Sequence, residues 1–299
     1  MNDLENCGSA VTIGNFDGQH IGHARLFELV KEHAARVGLA SLVLSFYPHP
    51  AFVLRKDGSQ QDFKLITSYA ERRRNIEALG FDRFIEHPFT EDFARTEPWV
   101  FLKFLSDEMN CRALYIGGDY RFGRDKTGSM EDFSGYADEL GIKVNIVPDV
   151  EMNGVKVSST AIKRFIIDKD LAGAASFLGR PYEISGVVRR GFQRGRAIGF
   201  PTANIIPPPE KLLPPDGVYE TRVSLNGAVY KAMTNIGKNP TFNAVRRTVE
   251  SHLFGFCQDI TGCEINAAFI RFIRDERRFV NADELTEQLK RDAAFISST

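Results

Sequence analysis

The segment from Ala10 to His23 limits most strongly how this chain can fold. It is a short apolar strand that passes through a glycine-spaced turn into a paired-histidine motif, and residues 24–37 continue it with apolar positions at helical spacing. Gly38 can then adopt the left-handed backbone conformation that ends a helix. The turn is therefore expected at a helix N-terminus, where backbone N–H groups and the positive helix end favour a bound anion.

Gly14, Gly18 and Gly22 let the main chain approach such an anion without an intervening Cβ, and His20 and His23 can add donors to it. A pair of histidines by itself more often caps or packs a helix. The strand and the glycines around this pair favour the alternative, a phosphate site.

This turn lacks the Gly-Lys-Ser/Thr of a Walker A loop and the spacing of a dinucleotide fingerprint. It resembles the His-x-Gly-His signature of the nucleotidyltransferase superfamily, whose members transfer a nucleoside monophosphate from a triphosphate. The resemblance implies that the two histidines stabilise charge on the phosphates as pyrophosphate leaves.

Length and composition indicate two globular domains. The chain has 299 residues, 43% of them hydrophobic, and a net charge of −1 that provides no overall field for nucleic acid. Basic clusters such as Arg72 to Arg74 are expected to be solvated helix faces. Four cysteines without Cys-x-x-Cys spacing, and no secretory or membrane-spanning segment, predict a cytoplasmic protein without a membrane or nucleic-acid partner. Weak self-association is left open.

Strand and helix patterns alternate over residues 1–180, which predicts an α/β domain with a doubly wound parallel sheet and a ligand at the strand C-termini. The predicted strands are Ala10 to Ile13, Ala40 to Phe46, Arg83 to Glu86, Ala113 to Ile116 and Lys143 to Val147. The predicted helices are Ala24 to Val37, Tyr69 to Leu79, Pro98 to Met109 and Met130 to Leu140.

Residues 181–299 carry strand signals with turns, including a hairpin at Asn226-Gly227, and end in a helix from Asp283 to Phe295. The sequence therefore predicts a small β-rich second domain. The strands are expected at Glu183 to Arg189, Val218 to Leu225, Ala228 to Asn235, Val249 to Phe256 and Ile265 to Phe272.

Three more segments follow strands or open a helix in the first domain: Phe46 to Pro50 with His49, Gly117 to Gly123 with Asp119, and Val157 to Thr160. Each has an ordinary structural explanation, as a proline-shaped turn, a tight glycine loop and a helix cap. Their joint occurrence at the expected ligand edge favours a nucleotide site.

In the second domain, Gly191, Gly195 and Gly199 with Arg194 and Arg196 form a basic loop suited to covering phosphates. Thr202 and Asn204 then offer hard oxygens of the kind that Mg²⁺ prefers together with substrate phosphates. Glu250 follows the apolar Val249 in a predicted strand, so the glutamate side chain can point away from the core into a cleft. The alternative for the basic loop is a flexible surface hairpin, and the alternative for Glu250 is a solvated glutamate on a strand.

From about Val11 to Asp292 the chain resembles the bacterial bifunctional riboflavin kinase/FAD synthetase family. Ten ordered segments carry the resemblance: Gly14 to Gly18 with His20 and His23, Tyr47 to Pro50, Gly118 to Gly123, Ser158 to Thr160, Leu178 to Pro181, Gly199 to Asn204, Gly217 to Tyr219, Asn235 to Gly237 with Pro240 to Phe242, Val249 to His252, and Arg274 to Glu276 with Phe279.

The resemblance implies an N-terminal nucleotidyltransferase domain and a C-terminal β-barrel kinase domain with its final helix. The kinase would convert riboflavin and ATP to FMN with Glu250 as general base and Thr202 and Asn204 on Mg²⁺. The first domain would adenylylate FMN with a second ATP, giving FAD and pyrophosphate through His20 and His23. The ATP- and flavin-binding residues implied are Gly14, Phe16, Asp17, Gly18, His49, Asp119, Ser158, Ser159, Thr160, Lys163, Gly191, Arg196, Gly199, Pro201, Asn235 and Arg274.

The chain departs from the family pattern in its first domain. Ala161 and Lys163 stand where arginine is usual, Gln19 replaces a small aliphatic residue, and Ala24 stands where glutamine is common. A lysine keeps the charge of arginine but lacks its bidentate fork. Two alternatives stay open: a riboflavin kinase whose first domain is only structural, and a flavin-binding regulator without turnover.

Overall fold

A computed structural model of the chain describes residues 7–55, 62–118, 130–191, 195, 198–241 and 244–298. Of the predicted site residues, Asp119 and Arg196 lie outside this part of the chain. The protein divides into two compact units, one of residues 1–63 and 69–158 and the other of residues 64–68 and 159–299.

The first unit is built on a five-stranded parallel sheet with strand order β3-β2-β1-β4-β5. Its strands are β1 (Ser9–Ile13), β2 (Ala40–Tyr47), β3 (Arg83–Pro88), β4 (Cys111–Gly117) and β5 (Lys143–Val147), followed by a small hairpin of β6 (Glu151–Met152) and β7 (Val155–Lys156). Its helices are α1 (Ile21–Val37), α2 (Pro50–Leu54), α3 (Tyr69–Ala78), α4 (Glu91–Ala94), α5 (Pro98–Met109) and α6 (Met130–Glu139).

The strand order reverses at β1, because β2 and β3 follow on one side and β4 and β5 on the other. This arrangement confirms the predicted doubly wound sheet. Two apolar clusters cover its faces: Val11 and Ile13 pack with α5 on one, and Ala10 packs with Leu26 and Val30 of α1 on the other. Doubly wound sheets bind ligands at the C-terminal ends of the strands next to such a reversal, and the turn after β1 begins there.

The second unit contains helices α7 (Ser159–Ile167) and α8 (Leu171–Leu178), six strands and the terminal helix α9 (Ala282–Ser297). The strands are β8 (Tyr182–Val187), β9 (Ala203–Ile205), β10 (Gly217–Leu225), β11 (Ala228–Thr241), β12 (Ala244–Leu253) and β13 (Glu264–Arg274). They form one antiparallel sheet in the order β8-β13-β10-β11-β12-β9. Arg189, just after β8, bridges to Asn204 on β9, so the two edges of this curled sheet meet.

Two differences from the predicted elements concern the sites directly. Helix α1 begins at Ile21 and not at Ala24, because His20 caps it. Strand β9 was not predicted, since three residues between prolines carry no alternating pattern of their own. Its pairing with β12 gives it an extended conformation and places Asn204 beside Glu250.

The domain boundary predicted at residue 180 stays a prediction. In the structure α7 and α8 belong to the second unit, where α8 packs on β8 and β13. Leu171, Ala174 and Phe177 of α8 are buried. The ring of Phe177 packs edge-on against that of Phe165 of α7, with the ring centroids 5.1 Å apart.

We expect a fragment of residues 159–299 to be more stable than one of residues 180–299. The shorter fragment loses five large buried apolar side chains of α7 and α8, each worth about 1.5–3 kcal/mol, so the free energy of unfolding should fall by at least about 5 kcal/mol. Urea unfolding of both fragments measures the difference. Equal free energies of unfolding would mean that the two helices do not stabilise the β-sheet of this unit.

Candidate active sites

The turn after β1 is compact and buried. The N–H of Gly14 donates to Leu44 O at 3.1 Å, and the backbone takes left-handed φ values of 50° at Phe16, 84° at Gly18 and 47° at Gln19. Phe16 and Asp17 are buried. The loop is therefore a fixed part of the fold that leads directly to α1.

The two histidines at the start of α1 are stacked, with ring centroids 3.6 Å apart. His20 is the helix N-cap, and its Nδ1 accepts the backbone N–H of His23 at 3.3 Å. When Nδ1 accepts a hydrogen bond, the ring proton lies on Nε2, which is then a donor. His20 therefore caps α1, and its phosphate contact stays a prediction.

His23 is held neutral. Burial, and then the neighbouring His20 ring, keep the pKa of His23 well below its ordinary value. Its ring lies edge-on to Phe16 at 5.3 Å, and its buried Nδ1 has no hydrogen-bond partner among the described residues. A Cβ at Gly22 would lie 3.2 Å from the His20 ring, so a larger residue here would require the ring to shift slightly.

The other predicted residues of this site lie on several elements. His49 caps α2, because its Nδ1 accepts the backbone N–H of Ala51 at 3.1 Å. The backbone N–H of His49 donates to Tyr69 Oη at 2.8 Å. Ser158 ends the first unit, while Ser159, Thr160 and Lys163 begin α7 in the second. The nucleotide contacts of these α7 residues stay a prediction.

Sequence reasoning missed Arg72. The expectation of a solvated face is wrong for this residue, since it is 2% exposed. Its guanidinium donates to Asn15 O and Phe46 O, both at 3.0 Å, and pairs with Glu86 at 2.7 Å. Nothing in a run of three arginines indicates which of them turns inward.

The second unit places its predicted polar residues in one row. Glu250 on β12 pairs with Asn204 on β9 and with Asn235 on β11, so three side chains point from the same face. Opposite side chains in such pairs have Cβ atoms about 5 Å apart. Thr248, on the same face of β12, donates to Glu250 Oε1 at 3.2 Å. This row is a carboxylate flanked by two amides.

Thr202 lies next to the row. Asn204 Nδ2 donates to Thr202 O at 3.1 Å and to Thr202 Oγ1 at 3.3 Å. A Cβ on residue 191 would lie 2.6 Å from Asn204 Nδ2, so Gly191 permits this close approach. Gly191, Pro201, Thr202 and Asn204 line a cavity of about 340 Å³, together with residues 256–261. Gly199 lies just before Pro201 with φ 84°.

Two of the predicted binding residues, Arg274 and Asn235, bind carboxylates within the protein. Arg274 binds Asp292 of α9 through Nε at 2.9 Å and Nη2 at 2.8 Å, and its nucleotide contact stays a prediction. Asn235 Nδ2 donates to Glu276 Oε1 at 3.2 Å, a contact that sequence reasoning did not anticipate.

The described residues contain no group of three or more His, Cys, Asp or Glu side chains placed to hold a metal. Thr202 and Asn204 form a different kind of donor set, in which two neutral hard oxygens lie beside one carboxylate. Mg²⁺ is commonly bound by few protein oxygens, with phosphates and water completing its shell, so these residues fit Mg²⁺.

Comparison with known proteins assigns each half of the chain to a family. Residues 2–161 match the FAD synthetase family and residues 178–299 the riboflavin kinase family. A bifunctional riboflavin kinase/FMN adenylyltransferase of Bacillus subtilis is 35% identical, covering 96% of this chain and 91% of its own. The Escherichia coli K12 protein of the same description is 33% identical, covering 95% and 90%.

A crystal structure from Streptococcus pneumoniae superposes with a TM-score of 0.87 at 34% identity, covering 99% of this chain and 96% of its own. It is described as a macrolide-efflux protein. In the described part of the present chain, no helix combines the length and apolar character needed to cross a bilayer.

The two family matches define a transferase with a kinase reaction and a nucleotidyl-transfer reaction in one chain. The chain belongs to the bifunctional riboflavin kinase/FMN adenylyltransferase family. It is a riboflavin kinase and FMN adenylyltransferase, and neither a single-function kinase nor a regulator without turnover is favoured.

Proposed function

We propose that the row of Asn204, Glu250 and Asn235 carries the kinase reaction. The observation behind this proposal is the register of three adjacent strands, which aligns a carboxylate with two amides beside a cavity. Glu250 takes the proton of the terminal ribityl hydroxyl as that oxygen attacks the γ-phosphorus of ATP. The bond from this phosphorus to the bridging oxygen breaks, and ADP and FMN result.

Thr202 and Asn204 would hold Mg²⁺ together with ATP oxygens, and Mg²⁺ bound there offsets phosphate charge. Gly191 and Pro201 line the same cavity, which suits a loop that covers the nucleotide. Positioning and electrostatic stabilisation dominate phosphoryl transfer, so side chains fixed by strand register are well suited to it.

In the first unit we propose that His20 and His23 bind the phosphates of a second ATP. An FMN phosphate oxygen attacks the α-phosphorus, the bond to the bridging oxygen breaks, and pyrophosphate leaves. Both histidines act as neutral donors, because the capping bond fixes the His20 proton on Nε2 and the lowered pKa keeps His23 uncharged. Donors already in place stabilise the growing charge of the leaving group.

The remaining assignments stay predictions from the sequence. They are the cytoplasmic location, the lack of nucleic-acid and membrane partners, weak self-association, and the ligand contacts of the other predicted binding residues, Asp119 and Arg196 among them.

A single incubation with riboflavin, ATP and Mg²⁺, resolved by chromatography, tests the assignment of both reactions. We expect FMN to appear first and FAD to follow, and EDTA to stop FMN formation until Mg²⁺ is restored. FMN without FAD would contradict the proposal for the first unit. Neither product would contradict both proposals.

A further inference from the structure

We propose that Arg72 is a positioning residue for adenylyl transfer, and that helix α3 braces the turn between β1 and α1, residues 14–20, through Arg72 and Gln19. We call this turn the phosphate loop. This inference rests on the proposed phosphate role of His20 and His23. Arg72 touches neither substrate nor reacting atoms in this proposal, since it acts through the backbone of the loops that carry the histidines.

The guanidinium of Arg72 joins the ends of two neighbouring strands. Asn15 follows β1 inside the phosphate loop, and Phe46 lies near the end of β2, three residues before His49. Nη1 donates to Asn15 O and Nη2 to Phe46 O, both at 3.0 Å. One rigid fork therefore sets the spacing between the loop that leads to His20 and the turn that carries His49.

These contacts also fix the direction of a peptide group. In a trans peptide the carbonyl and the next N–H point in opposite directions. With Asn15 O turned toward Arg72, the N–H of Phe16 must point away from it. Arginine binds the two carbonyls with two nitrogens held in one plane, whereas lysine carries its donors on a single nitrogen of a flexible chain and cannot keep this geometry.

The far end of the loop is held by the same helix. Gln19 Nε2 donates to Arg72 O at 2.9 Å, and Asn75 Nδ2 donates to Gln19 Oε1 at 2.9 Å. Helix α3 thus holds the loop at Asn15 and again at Gln19, directly before the capping histidine. Gln19 is also one of the positions at which this chain departs from the family pattern, and the amide contacts give that departure a structural reason.

The neighbouring arginine provides a natural comparison. Arg73 also pairs with Glu86, but half of its side chain is exposed, whereas Arg72 and Glu86 side chains are 3% and 13% exposed. The described structure gives Arg73 no bond to a loop carbonyl. Arg73 therefore pairs with Glu86 as Arg72 does, but it does not bind the loop carbonyls.

The experiment compares Arg72→Lys with Arg73→Lys in the full chain, with FMN and ATP supplied. We expect Arg72→Lys to lower kcat for FAD formation about 10-fold to 100-fold, because small displacements of positioned groups cost this much, with KM for ATP changed less than about threefold. Riboflavin phosphorylation by the same preparation should be unchanged. Arg73→Lys should match the parent in both reactions.

A folded Arg72→Lys protein with lower thermal stability but parental kcat would overturn the proposal, since Arg72 would then only stabilise the fold. If that variant does not fold, Gln19→Asn decides, because asparagine tolerates the left-handed backbone but is too short for both contacts. We expect it to lower kcat by about threefold to tenfold, and no change would overturn the bracing role.

A His20→Asn variant separates this inference from the proposed function. Loss of FAD formation in His20→Asn with a normal rate in Arg72→Lys would refute only the bracing role. Normal FAD formation in His20→Asn would refute the phosphate site itself.

Discussion

Glu250→Gln is expected to abolish riboflavin phosphorylation while conversion of supplied FMN to FAD continues at nearly the parental rate. Glutamine has almost the shape of glutamate and can keep the place of residue 250 between Asn204 and Asn235. It cannot take the proton of the ribityl hydroxyl. Loss of a general base costs about 10²-fold to 10⁴-fold, so FMN formation should fall by this factor.

The measurement is the initial rate of FMN formation, with FAD formation from added FMN as an internal control in the same protein. Glu264→Gln is a matched control: this glutamate is exposed at the start of β13, in the same sheet but outside the row. It should leave both rates unchanged. A Glu250→Gln rate within about threefold of the parent would show that Glu250 is not the base.

The sequence predicted the elements of the first unit well because their signals are local. The strand at Lys143–Val147 and the helix at Pro98–Met109 were predicted with the bounds the structure has. Short apolar runs and helical spacing both depend only on neighbours along the chain. The start of α1 was missed by three residues, since a histidine N-cap is not among the usual capping signals.

The candidate sites depend on contacts between residues far apart in the sequence. Thr202 and Asn204 could be proposed as oxygen donors, but strand β9 forms only because β12 pairs with it, and so the row with Glu250 was not predictable. The inward turn of Arg72 similarly depends on carbonyls 57 and 26 positions away. Sequence patterns indicated which residue types were present, and tertiary pairing decided which of them meet.

His20→Asn is expected to stop FAD formation and let FMN accumulate. The structure favours asparagine over alanine for this test, because His20 also caps α1 and the loss of a cap costs about 1 kcal/mol. Asparagine is a strong N-cap that can accept the N–H of His23, but it lacks the Nε2 donor. The variant therefore removes the phosphate contact and leaves the helix start intact.

Loss of one preorganised donor is worth about 3 kcal/mol, so FAD formation from supplied FMN should fall roughly 100-fold, with riboflavin phosphorylation unchanged. His33→Asn is the matched control, since His33 lies on the same helix about 20 Å further along and binds Tyr115. It should form FAD at the parental rate. If His20→Asn retains the parental rate while α1 remains folded, His20 does not contact the leaving phosphates. The stacked histidines would then serve only to cap and pack the helix, which is the alternative that the sequence left open.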